Sequence, residues 1–88
     1  MPTQTLEDIR SNGLLQCLFQ PIYSLCEQQI LGYEALSRGP EDSPLFTPLQ
    51  LFAAARETAQ LCELARFCRQ LACSRFRQLK LQGLLFLN

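Results

Sequence analysis

The sequence predicts an α/β chain in which an antiparallel hairpin is followed by two helices and a parallel strand. Three observations carry that expectation. Two extended, largely apolar runs are joined by the polar CEQQ at 26–29, a stripe of leucine and alanine recurs at helical steps after Pro48, and the run LLFL at 84–87 is apolar without interruption. The chain has 88 residues, which makes one small domain. A chain this short buries roughly 60 to 65% of its unfolded surface, enough for a modest core.

The elements follow in order. Thr5-Leu6-Glu7-Asp8 has capping spacing and Gly13 closes it, so residues 1–13 are expected to form a short lead-in helix to a domain spanning 14–88. CLFQPIYSL at 17–25 reads as a strand, and Pro21, which offers no ladder donor, makes it an edge or irregular one. ILGYEALSR at 30–38 completes the hairpin. RGPEDSPLFTP holds three prolines and a glycine and reads as a loop, at whose end Thr47 caps a helix, Pro48 takes its first position and Gln50 closes the capping box. That helix runs to about Ala59. Leu61, Leu64, Ala65, Cys68, Leu71, Ala72, Phe76 and Leu79 then form one buried stripe of a second helix. After Gly83, LLFL is expected to be a parallel strand buried on both faces, completing a β-α-β crossover and leaving an unpaired edge through which copies could associate.

Composition excludes several classes. Apolar residues make up 48% and charged ones 18%, as in a globular chain, and no apolar run approaches the ~18 residues of a membrane span. The opening MPTQTLEDIR is polar and acidic, unlike a secretory signal, which points to a cytoplasmic protein. Cys17, Cys26, Cys62, Cys68 and Cys73 lack CxxC spacing and no histidine accompanies them, so buried or half-buried free thiols are expected rather than a zinc site. Net charge is zero, yet six of eight bases follow Pro44. Without interleaved exposed aromatics, Arg66, Arg69, Arg75, Arg77 and Lys80 read as a solvated helix face and not as a surface for a nucleic-acid polymer.

The chemistry concentrates in GYEALSRGP at 32–40. Strand alternation puts Gly32, Glu34, Leu36 and Arg38 on one face and Tyr33, Ala35 and Ser37 on the other. Glu34 and Arg38 are then separated by roughly 13 Å of strand rise, too far for an ion pair, so they would serve different parts of one ligand. A guanidinium fork suits a phosphate and a carboxylate suits a hard cation. Asn88 follows LLFL at the C-terminal end of a parallel strand, where α/β barrels gather working residues. Spacing alone does not decide against a surface carboxylate at Glu34 or an ordinary turn residue at Asn88.

FQPI at 19–22, GYEALSRGP at 32–40 and LFLN at 85–88, in that order, resemble the EAL domain family of bacterial cyclic di-GMP phosphodiesterases over nearly the whole chain from about Leu15. The resemblance implies the N-terminal portion of a variant (β/α)8 barrel of TIM type with an antiparallel first strand. It implies hydrolysis of cyclic di-GMP to linear pGpG by a water activated between Mg2+ or Mn2+ ions. By position, Glu34 and Asn88 would be metal ligands, Arg38 a phosphate contact, Leu36 a lining residue beside it and Gln20 a substrate-side residue. Ala59 stands where the family usually has glycine and Ala65 where an acidic residue is common, variations away from the motif face. A barrel of this kind needs ~250 residues. Further metal-binding carboxylates, a catalytic lysine and later strands would therefore lie beyond Asn88, the 88 residues alone would be inactive, and other signalling domains would be fused to the parent chain. Two alternatives remain open: a degenerate domain that binds cyclic di-GMP without cleaving it, and a module that recruits a regulatory domain through an apolar helix face.

Overall fold

The computed structural model describes residues 5–87. Six elements follow one another: α1 (Leu6–Ser11), β1 (Gln16–Ser24), β2 (Gln29–Arg38), α2 (Pro48–Glu57), α3 (Leu61–Gln78) and β3 (Leu84–Phe86). The sheet order is β1-β2-β3, with β1 and β2 antiparallel and β2 and β3 parallel. Pro21 accordingly sits in an edge strand, where its missing donor breaks no interior ladder. The hairpin register slips between Ile22 and Tyr23, which leaves Leu31 without a partner.

Side-chain capping starts the first two helices. Thr5 and Asp8 cap α1 reciprocally, and Thr47 and Gln50 do the same for α2, with Pro48 in its first turn. All three helices end in the same way. The residue past the C-cap turns left-handed, at Gly13 (φ 64°), Ala59 (φ 57°) and Lys80 (φ 55°). The N–H groups of Leu14, Gln60 and Leu81 donate back to the carbonyls of Ile9, Ala55 and Phe76 at 2.9, 2.7 and 3.3 Å, the Schellman arrangement. Only the first of these positions is glycine, so the other two carry the steric cost of a Cβ in the left-handed region.

The helices gather on one face of the sheet. Leu6, Ile9, Leu15, Leu51, Ala55 and Leu64 form the buried cluster, with Phe52, Phe67, Cys68 and Leu71 packed against it. Phe76 of α3 lies against Phe19 and Tyr33 at ring-centroid distances of 6.0 and 6.3 Å, and so ties α3 to both hairpin strands. Arg10 joins α1 to α3 through an exposed ion pair with Glu63. Among the described residues no helix is long and apolar enough to cross a membrane.

Three expectations need correction. LLFL is not buried on both faces: Leu84, Phe86 and Leu87 are 55, 38 and 42% exposed, because among the described residues nothing covers the sheet face opposite the helices or pairs with the outer edge of β3. The α3 stripe is buried only in its middle, while Leu61 and Leu79, at its two ends, are exposed. Of the five free thiols only Cys17 and Cys68 are half-buried; Cys26, in the hairpin turn, and Cys62 and Cys73, on the outer side of α3, are exposed. The late basic residues are exposed along α3 and its end, as a solvated face requires.

Candidate functional site

Phe19, Tyr33 and Phe76 fix which side of the hairpin meets the helices. By alternation, Glu34, Leu36 and Arg38 stand on the opposite, open side. The register adds what alternation alone does not give. Arg38 is paired with Gln16, Leu36 with Leu18 and Glu34 with Gln20, and Glu34 is flanked on its other side by Phe86 of β3. Directly opposed residues share a face with Cβ atoms about 4.5 to 5.5 Å apart. The open face is therefore a ladder with polar, apolar and polar rungs spaced by roughly 7 Å.

The motif glycine has a structural cause. Gly32 is paired with Leu84, and a Cβ there would run into the Leu84 carbonyl, so β3 approaches β2 only because residue 32 has no side chain. Through that approach Phe86 comes beside Glu34.

Glu34, Leu36 and Arg38 are half-buried and Gln20 is exposed. Arg38 donates from Nη1 to the carbonyl of Ser37 at 2.9 Å, which turns one end of the guanidinium back onto the strand and leaves its other donors for a ligand. Among the described residues neither Glu34 nor Arg38 forms an ion pair, in keeping with their separation along the strand. Asn88 lies outside the described residues.

The donor set matches a hard cation in kind. Glu34 offers a carboxylate, the ligand type that Mg2+ and Mn2+ prefer, with the Gln20 amide beside it on the same rung for a substrate. It does not match in number, since no group of three or more His, Cys, Asp or Glu gathers among the described residues. A small cavity of about 50 Å3 lies between β2 and the helices, lined by Ala35, Leu36 and Ser37 of the strand and by Phe52, Ala65, Cys68 and Ala72. Burial pushes the Cys17 and Cys68 thiols up, which disfavours their thiolate forms.

Residues 3–88 match the family described as EAL domain. The chain belongs to the EAL domain family. Searches of curated proteins and of solved structures gave no significant match. EAL domains are in general divalent-metal-dependent phosphodiesterases acting on cyclic di-GMP, with a TIM-type barrel fold, and degenerate forms exist. The mixed α/β order and the three-stranded sheet of this chain are consistent with part of that fold. Within this EAL chain the eponymous triplet straddles β2, with Glu34 and Leu36 on the open face and Ala35 turned towards the helices. Ala59 is one of the two left-handed non-glycine helix ends. Ala65 lines the cavity that Ala35, Leu36 and Ser37 of the motif strand also line, so it is a neighbour of the motif rather than remote from it. Gln16, Leu18 and Phe86 share the motif face and escaped the sequence reading. Alternation from Gln20 would have found the first two, whereas Phe86 needed the β2–β3 register.

Proposed function

We propose that this chain supplies the metal- and phosphate-binding strands of a cyclic di-GMP phosphodiesterase, which opens the cyclic dinucleotide to linear pGpG in second-messenger signalling. The observation that carries this reading is the open-face ladder, with Glu34 opposite Gln20 and Arg38 opposite Gln16, two rungs apart. Glu34 and Asn88 would hold a divalent cation, Mg2+ or Mn2+, together with further ligands. When bound, that cation supplies Lewis acidity toward the phosphodiester and an activated water.

The chain's own residues do the positioning. Arg38 clamps a phosphate by charge-assisted hydrogen bonds, at a distance from Glu34 that prevents the two charges from neutralising each other. Leu36 lines the floor between them, and Gln20 offers its amide to the substrate beside the metal rung. Phe86 gives Glu34 an apolar neighbour on its β3 side. The sheet order, antiparallel first and parallel next, suits the start of a variant (β/α)8 barrel whose interior is this open face, with residues 1–13 leading in and 14–88 carrying barrel elements.

The test is hydrolysis. Full-length protein incubated with cyclic di-GMP and Mg2+ or Mn2+ should release pGpG, and chelation should abolish the reaction. Tight binding of cyclic di-GMP with no pGpG formed would assign the chain to a degenerate receptor instead.

A further inference from the structure

On the open face each charged residue of β2 looks across at a glutamine of β1: Glu34 at Gln20, and Arg38 at Gln16. A carboxamide suits both places, because its oxygen accepts at a cation and its NH2 group donates to an anion. Gln16 is exposed, and its side chain makes no hydrogen bond among the described residues, so no internal partner competes for it. It belongs to the edge strand, where a ligand on the sheet face can reach it from solvent. Its cross-strand neighbour Arg38 has one nitrogen committed to the Ser37 carbonyl, so the remaining donors point to a ligand that needs more than one contact.

We propose that Gln16 is a second phosphate contact, whose amide NH2 donates to the same phosphate oxygen cluster that Arg38 holds. This rests on reading the open face as a phosphodiester site. Gln16 then contributes to ground-state binding at the phosphate end and has no part in holding the cation two rungs away.

The experiment measures calorimetric binding of pGpG, the ring-opened dinucleotide, to the full-length protein in Mg2+. Gln16→Ala, Gln16→Glu, Gln16→Lys and Arg38→Ala are compared, with Mg2+ affinity and melting followed on each. Gln16→Ala should weaken pGpG binding by roughly tenfold, the size of one hydrogen bond to a charged group. Gln16→Glu should weaken it further by placing a carboxylate beside the phosphate, Gln16→Lys should restore it, and Mg2+ affinity should not change. If Gln16→Ala binds within about twofold of wild type while Arg38→Ala is weak, this proposal fails and the phosphate reading survives. Equal weakening by Ala, Glu and Lys would mark a merely structural role and also overturn it. Unchanged binding in Arg38→Ala as well would remove the phosphate reading and this proposal together.

Discussion

Gln20 stands directly across the β1–β2 ladder from Glu34, so the amide of the first strand and the carboxylate of the EAL triplet occupy one rung of the open sheet face. That pairing depends on the register, and the register holds from Gln16↔Arg38 to Ile22↔Gly32 before it slips at Tyr23. The slip falls beyond the rungs that matter here. On the far side of Glu34, Gly32 performs the equivalent service by letting β3 come close.

Gly32→Ala is therefore expected to push β3 away from β2 and to cost about 1 to 3 kcal/mol, the range for an inserted methyl that the structure must move to accept. Urea unfolding checks this. Alanine at Gly13, where a Cβ meets nothing within 4 Å, serves as a comparison that isolates the cost of positive φ from that of collision.

Ala59→Gly and Lys80→Gly should each stabilise the protein. A left-handed L-residue costs roughly 1 to 2 kcal/mol, while glycine loses about 0.5 to 1 kcal/mol through its extra unfolded freedom, so a net gain approaching 1 kcal/mol is expected per site. Thermal or denaturant melting of the two variants reads it directly, and a loss of stability in either would contradict the Schellman assignment.

How much of this was legible in the sequence divides along physical lines. Thr47, Pro48 and Gln50 announced α2 because capping is local chemistry, and Glu34, Leu36 and Arg38 declared a common face because strand alternation is local geometry. Alternation puts Gln16 on the face of Gln20, but its pairing with Arg38 and the place of Phe86 beside Glu34 were not legible, since cross-strand register is set by the whole hairpin and by the β2–β3 approach. Leu84 and Phe86 misled in another way. Their apolar run reads as a strand buried on both faces, while the described residues leave them open. The left-handed backbone at Ala59 was not legible either, because alanine gives no local signal for a positive φ.

The thiols should separate into two classes. Cys26, Cys62 and Cys73 are exposed, whereas burial raises the Cys17 and Cys68 pKa values above the ordinary 9.0, so alkylation near neutral pH should add three groups before five. Because the folded pKa is raised, the contribution of these thiols to stability is complete below the unfolded value and is lost as pH rises through the folded one. Replacing both with alanine should flatten the alkaline limb of the stability profile, and mass spectrometry of partly labelled protein checks the labelling order.

A polypeptide restricted to these 88 residues should neither turn over cyclic di-GMP nor stay monomeric. Glu34 and Asn88 as the only candidate oxygen ligands fall short of the near-octahedral set that Mg2+ demands, and the outer edge of β3, with Leu84 and Phe86 exposed, is a template for further pairing. Sedimentation at increasing concentration checks the second expectation, with concentration-dependent association as the expected result.

The most direct test is a paired measurement on Glu34→Gln in the full-length protein: metal affinity by titration and cyclic di-GMP hydrolysis, with melting as the control. Glutamine keeps the side-chain shape and removes the charge, so metal binding and turnover should fall together while the fold persists. Arg38→Ala, run alongside, should weaken nucleotide binding by roughly 1.5 to 3 kcal/mol and leave the metal in place. Wild-type metal affinity and turnover in Glu34→Gln would contradict the assignment of this carboxylate and, with it, the reading of the open face as a metal and phosphodiester site.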